Sequence, residues 1–445
     1  MSKLIAAWPS SVSRGAIIIG LVGALWNGVN ALDAQPKSQT DVGAQGPGAK
    51  FDSPRLTRLA RELASTADKQ DALDRFWQGM RGKTPLVEPI AGNDREMLVT
   101  FIWHGNKNTR RVGTLGTNPS PDSAEQELRR FLDTDLWYKT ERMPSDARFG
   151  YALGENGQGY KPDPLNPATF AGRSVAELPN APVESWIKKN PMVPAGTLSK
   201  HKLRSELLDE ERSIGVYLPA NYDDKKEPYP LLLVFDGESY GSRPESAIQT
   251  PTILDNLAAA QKTPPMVAIL VDSQATRDRD LVCSDRFSRF LAEELIPWCR
   301  QKYHVSRDPS RVIVTGSSYG GLCAAYTAFR HADVFGNVLA QSGTFSYFPN
   351  RQQKKVTDYF DETGWLTREL ATHPKLSIRF YLTVGRFEGG PYWSLLRENR
   401  HLRNVLEAKG YSLVYSEYSG GHDYVGWRNT LGDGLIALMG ANKGK

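Results

Sequence analysis

The chain has 445 residues, with 55 Lys and Arg against 50 Asp and Glu and a net charge of +5. That length exceeds one average domain and predicts two, with enough apolar residues for a sizeable core. The basic residues are scattered rather than gathered into a stripe, which argues against a nucleic-acid partner.

Lys3 and Arg14 precede an apolar run over residues 16–26, and small residues follow through Ala31 and Ala34. Basic, then apolar, then small is the order of a secretory signal peptide. Residues 1–34 are read as one, with cleavage after Ala31 or Ala34 and an uncleaved anchor as the alternative. The apolar run is short for a bilayer span, and no later segment is apolar enough to be one. The mature protein is therefore expected in the periplasm, without a stable membrane span and with a net charge of +4.

Residues 35–53, rich in Gln, Gly, Ser and Pro, read as a flexible linker. From Arg55 to Gly79 the spacing of Leu56, Leu59, Leu63, Leu73, Phe76 and Trp77 is helical. Residues 84–155 carry short β-type runs such as 97–103 and 111–115, split by Gly, Asn and Pro turns. This pattern predicts a small β-sandwich within an N-terminal domain spanning 54–195. Prolines and glycines over 156–196 mark the connection to a second domain, 196–445.

In that second domain strands and helices alternate. Strands are expected at 212–218, 229–235, 266–271, 336–342, 378–384 and 411–416. Helices are expected at 248–260, 287–302 and 399–409 and at the chain end. Continuous apolar strands separated by helices indicate a mainly parallel sheet covered on both faces.

Within this pattern Val312–Thr315 leads into Gly316-Ser317-Ser318-Tyr319-Gly320, followed by a small-residue helix. This is the strand, sharp turn and helix of a nucleophile elbow with Ser318 at its tip, and it makes the domain an α/β-hydrolase. Gly316 and Gly320 let strand and helix approach, and the N–H of Tyr319 faces an incoming oxyanion. A serine needs a base, and in this fold the base follows the last strand. Of seven histidines, His422 in Gly420-Gly421-His422-Asp423 has that place; His331, His373 and His401 read as solvated or capping residues, and His104 and His201 lie outside the expected segment. The acid that orients the imidazole should follow the penultimate strand, which points to Glu388, with Glu398 and Asp361 as alternatives. Asp423 adjoins the histidine too closely to orient its ring. The second oxyanion donor is expected at Asp236-Gly237-Glu238, with Gly237 as the candidate. Three cysteines (Cys283, Cys299, Cys323) leave at least one free thiol; a Cys283–Cys299 bridge is conceivable. No Cys/His cluster has zinc-ligand spacing, so neither metal nor cofactor is expected.

Several segments together resemble the enterochelin (enterobactin) esterases. They are Gly316–Leu322 continuing through Phe335–Gly343, Arg279–Ser284 with Phe290–Trp298, and Gly420–Asp423 before Trp427-Arg428. Gly82–Val87, Val99–Trp103 and Thr134–Tyr138 are similar to that family's N-terminal domain. The resemblance covers roughly 75–435. It implies hydrolysis of the triserine trilactone of a catecholate siderophore, ferric or iron-free, to aid iron release. Ser318 would then be the nucleophile, His422 the base and Glu388 the acid. Arg279 matches a basic position of the family and would face the anionic catecholates, unless it pairs with Asp278 or Asp280. The chain departs from the family at Ser284, where Asn is common, and in a longer segment between Glu388 and Asn399. An exported esterase for feruloyl, acetyl or other small esters and a non-catalytic siderophore-binding protein are the competing readings. Oligomeric state is not legible.

Overall fold

The computed structural model describes residues 51–117, 126–349, 364–390 and 394–440. The segment read as an export signal, residues 35–50 of the linker, and Asp361 lie outside the described residues.

Structure begins before residue 54. Phe51 is buried against Phe131 and Tyr138, with ring centroids 4.7 and 5.6 Å away. Ser53 Oγ accepts from Leu56 N at 3.2 Å and so caps the first helix. The expected single helical stretch is two helices, Pro54–Ser65 and Lys69–Met80. Asp68 breaks the stretch by capping the second helix, its carboxylate accepting from Asp71 N at 2.9 Å.

The β-rich part is two antiparallel four-stranded sheets. One is ordered β1 (Leu86–Ile90), β2 (Asn93–His104), β5 (Leu136–Pro144), β4 (Arg129–Arg130). The other is β3 (Val112–Leu115), β6 (Arg148–Glu155), β8 (Arg173–Glu177), β7 (Thr169–Phe170). Side chains alternate across a strand, so Val99 and Phe101 of β2 meet Phe149 and Tyr151 of the second sheet. Ile102 points the other way, into Leu56, Leu59, Leu63 and Phe76 of the two helices. Both faces of β2 are thus covered over Val99–Ile102, which is why Met97–Trp103 is largely apolar without alternation.

The second domain is one eight-stranded sheet, ordered β16 (Ser412–Tyr418), β15 (Arg379–Gly385), β14 (Asn337–Gln341), β13 (Val312–Ser317), β11 (Leu231–Phe235), β12 (Val267–Val271), β10 (Glu210–Leu218), β9 (Thr197–Ser205). From β12 to β16 all neighbours are parallel; β9 and β10 are antiparallel. Leu231, Leu233 and Phe235 enter the core on one face. Leu232 and Val234 enter the core on the other, beneath the closing helix Tyr424–Met439. The expected helix at 287–302 is present, but it passes through a π-helical segment, Phe290–Leu295, before Pro297. Every parallel strand ends toward one edge of the sheet, where an α/β fold gathers its functional loops.

Candidate active site

β13 delivers Ser318 in a strained conformation, φ 59° and ψ −120°, at the start of helix Tyr319–Arg330. The glycine needed for that turn is Gly316, where a Cβ would stand 2.8 Å from the Gly320 main chain. At Gly320 a Cβ would meet Asp236 Oδ2 and Phe235 Cβ at an ordinary 3.5 Å. The turn is pinned to its neighbours: Ser318 N donates to Gln341 O at 3.0 Å, and Thr344 N donates to Ser318 O at 3.1 Å. The Ser318 hydroxyl is half-buried and hydrogen-bonds Thr344 Oγ1 at 3.3 Å.

Two strands from β13, β15 ends at Gly385 and turns through Arg386–Glu388. Glu388 is buried and fully engaged. Its Oε1 accepts from Ser342 Oγ at 2.6 Å and Gly385 N at 2.7 Å. Its Oε2 lies 2.7 Å from His422 Nδ1. An ionised carboxylate can only accept, so Nδ1 carries the proton and Nε2 is left as the basic nitrogen. Trp427 packs edge-on against the imidazole, centroids 4.8 Å apart at 89°, and donates Nε1–H to Ser342 Oγ at 2.9 Å. Because Ser342 directly follows Gln341, whose carbonyl receives Ser318 N, β14 ties the Glu388–His422 pair to the elbow. Burial, and then the nearby Glu388 charge, push the Tyr418 hydroxyl well above its ordinary range, so it stays a donor; it points at Glu388 Oε1 at 3.4 Å.

Gly237 follows Asp236, which has a left-handed φ of 52° at the end of β11. A Cβ at 237 would lie 2.8 Å from Asp272 Oδ1 and 2.9 Å from the Leu270 carbonyl carbon, so packing demands glycine there. Asp236 is buried and takes Ser273 Oγ at 2.6 Å, Arg277 Nε at 2.7 Å and Arg277 Nη2 at 2.8 Å. The Arg277 guanidinium lies 5.8 Å from the centre of the Tyr319 ring. Burial works against its charge, but Asp236 more than compensates and raises its pKa. Burial and the Asp236 charge raise the Glu238 carboxyl.

Arg279 is turned elsewhere. Its Nε donates to Asp280 at 2.7 Å and its Nη2 to Glu210 at 2.6 Å. These carboxylates also hold the buried Arg212. The arginine beside the elbow is Arg277, two residues earlier, a distinction that the Arg-Asp-Arg-Asp sequence does not make. Glu398 sits next to Arg397 on helix Leu395–Ala408, with Arg397 Nε 3.4 Å from its carboxylate. His104 pairs with Asp135 at 2.7 Å and stacks on Trp77; His201 bonds Ser199 and Tyr303. Asp423 turns its carboxylate away from the imidazole, toward main-chain N–H groups. Ser342, Thr344 and Trp427 complete the surroundings, and their roles there rest on partners distant in the sequence. All three cysteines are free thiols, so no Cys283–Cys299 bridge forms. Among the described residues no group of three or more His, Cys, Asp or Glu side chains is arranged to hold a metal ion, and no helix is long and apolar enough to cross a membrane.

Comparison with known proteins adds to this geometry. Residues 98–158 match the family model described as enterochelin esterase, N-terminal. Residues 205–438 match the model described as Putative esterase. The iron(III) enterobactin esterase of Dickeya dadantii (strain 3937) is 29% identical over 415 residues, covering 82% of this chain and 92% of that protein. The iron(III) enterobactin esterase of Escherichia coli (strain K12) is 27% identical over 406 residues, covering 82% and 95%. The solved structure of the enterobactin esterase FES from Shigella flexneri in the presence of enterobactin superposes with a TM-score of 0.64 at 26% identity, covering 82% of this chain and 97% of that one. With more than half of its length matched by the Putative esterase model and an enterochelin-esterase-type segment in front, the chain belongs to the Putative esterase family.

Proposed function

We propose that this protein is a periplasmic serine esterase that opens the ester backbone of a catecholate siderophore of the enterobactin type, ferric or iron-free. The observation that carries the reading is the 2.7 Å Glu388–His422 pair, tied through β14 to the strained Ser318. Support for the substrate comes from the relatives, which match across both domains and are named iron(III) enterobactin esterases. Support for the compartment is the basic, apolar, small order of residues 1–34.

In this mechanism Ser318 Oγ attacks an ester carbonyl carbon while its proton passes to His422 Nε2. Glu388 keeps the Nδ1 proton in its hydrogen bond and stabilises the imidazolium. The N–H groups of Tyr319 and Gly237 receive the oxyanion. The adduct collapses with cleavage of the C–O bond, and His422 protonates the departing serine hydroxyl of the siderophore. His422 then deprotonates a water that attacks the acyl-Ser318 ester, releasing a carboxylic acid and restoring the hydroxyl. The Ser318–Thr344 bond must break as substrate enters, in keeping with catalytic hydrogen bonds that align only in the complex.

Product analysis by liquid chromatography and mass spectrometry tests the reading. The purified protein should convert enterobactin and its ferric complex to linear dihydroxybenzoylserine oligomers, and Ser318→Ala should not. Intact trilactone beside continued hydrolysis of p-nitrophenyl butyrate would keep the esterase and discard the siderophore.

A further inference from the structure

The loop that carries His422 is held from outside its own domain. Strand β6 of the small domain passes both the base loop and the acid turn. Arg148 N donates to Ser419 O at 3.0 Å, and Gly150 N donates to Asp423 Oδ2 at 2.9 Å. Between them the Phe149 ring meets Phe387 edge-on, centroids 5.4 Å apart at 78°. Phe387 belongs to the turn that presents Glu388, and its N–H donates to Gly420 O at 3.0 Å, so the two loops are also tied to each other. The fit leaves no slack: a Cβ on Gly420 would stand 2.8 Å from Arg148 O.

Asp423 is the centre of this contact. It is buried, and its Oδ1 accepts from Val425 N at 2.9 Å and Gly426 N at 3.2 Å, which caps the closing helix. Capping accounts for one oxygen. The other reaches a strand of the neighbouring domain, 273 residues earlier in the chain. Burial raises this carboxyl, while the Arg173 guanidinium and the three N–H donors oppose that shift.

We infer that Asp423 is a positioning residue: its bond to Gly150 holds the His422 loop in register with Glu388, so the small domain completes the geometry of the hydrolase site. This rests on the Ser318–His422–Glu388 reading above. A displacement of about 1 Å at such a site slows reaction by up to about a hundredfold.

Asp423→Ser isolates the contact, because serine still caps a helix but is too short to reach Gly150. The probe is diisopropyl fluorophosphate, which phosphorylates an activated serine with release of fluoride, with the rate and site read by intact-protein and peptide mass. The expected result is a folded variant whose maximal inactivation rate falls by about tenfold or more while the half-saturating reagent concentration is unchanged. A folded Asp423→Ser that reacts as fast as the parent overturns the inference. If that variant does not fold, Phe149→Leu decides: it should slow phosphorylation by the reagent by a smaller factor, and a parental rate overturns the inference. The reagent contains no siderophore, so the two readings fail separately. Loss of the substrate assignment leaves the parent diisopropylphosphorylated at Ser318 but inert toward trilactone. A parent that is never labelled at Ser318 overturns both.

Discussion

Trp427 and His422 stand edge to face at 4.8 Å, and the same indole bonds the hydroxyl that buttresses the partner of that histidine. Trp427, Ser342, Glu388 and His422 thus form a closed ring of contacts in which each fixes the next. Ser342 has a left-handed φ of 50° and is fully buried, a conformation kept by its place between Trp427 and Glu388. Ser342→Ala leaves the Trp427 N–H without its acceptor and removes one donor to Glu388 Oε1, which keeps Gly385 N. A buried polar group deprived of its partner costs about 1–3 kcal/mol. The variant should lower the unfolding midpoint in urea and cut kcat by about tenfold with little change in KM. An unchanged kcat in steady-state assays with p-nitrophenyl butyrate would exclude a role for Ser342 in holding the acid.

Glu388→Gln asks whether the carboxylate itself matters. An amide preserves the shape but offers no charge to the imidazolium and no defined acceptor for the Nδ1 proton. In a Ser-His-acid triad, which the proposed mechanism assigns to Ser318, His422 and Glu388, replacing the orienting acid by its amide costs about 10⁴ in kcat. The expected loss here is about 10³ to 10⁴, with KM held within about threefold. Glu398→Gln is the control and should keep parental kinetics, because its neighbour is Arg397. Parental turnover by Glu388→Gln would remove Glu388 from the reaction.

The two arginines of Arg277–Asp280 should separate in the same assay. Arg277 grips Asp236 with two nitrogens and lies over Tyr319, so it fixes both main-chain segments expected to bind the oxyanion. Arg277→Ala leaves the buried Asp236 without its cation and should lower kcat/KM by about a hundredfold, a loss of about 2.7 kcal/mol. Arg279→Ala disturbs a half-exposed pair with Glu210 and Asp280 and should stay within about threefold. The reverse ranking would return the substrate-facing role to Arg279.

The elbow was legible because its signal is local. Four β-formers, a Gly-flanked serine and a small-residue helix occupy one stretch of chain, and backbone sterics dictate the turn. The contact between Glu388 and His422 is legible by order along the sheet, since strand order places their loops at one edge. What escaped reading depended on distant partners. Strand β9 hides because it is an exposed edge strand bearing Lys200, Lys202 and Arg204, the charges that blunt an unpaired edge. Arg277 and Arg279 are alike in sequence and differ only in which side of a one-turn helix faces Asp236. Asp423 adjoins His422 too closely to orient its ring, and the motif gives no sign of its partner Gly150, 273 residues earlier. Phe51 looked like linker because the aromatic residues that bury it, Phe131 and Tyr138, come eighty residues or more later.

The outer edge of the sheet gives a prediction about stability alone. Arg400 meets Glu417 of β16 with two parallel bonds of 2.7 Å, and Tyr415 donates its hydroxyl to the same carboxylate at 2.8 Å. The Arg400 hydrogen bonds, and then that of Tyr415, outweigh burial and hold the Glu417 carboxyl below its ordinary value. A carboxyl whose folded pKa is lowered binds fewer protons in the folded state than in the unfolded chain. Its contribution is therefore complete above the ordinary glutamate value of about 4.3 and is lost as pH falls through the lowered folded value. Arg400 is half exposed, so solvent screening limits the whole effect to about 1 kcal/mol. Glu417→Gln should accordingly lower the urea midpoint at pH 7, and the gap to the parent should narrow steadily below pH 4. A gap of the same size at pH 7 and pH 3 would mean that packing of the side chain, and not its charge, joins β16 to helix Leu395–Ala408.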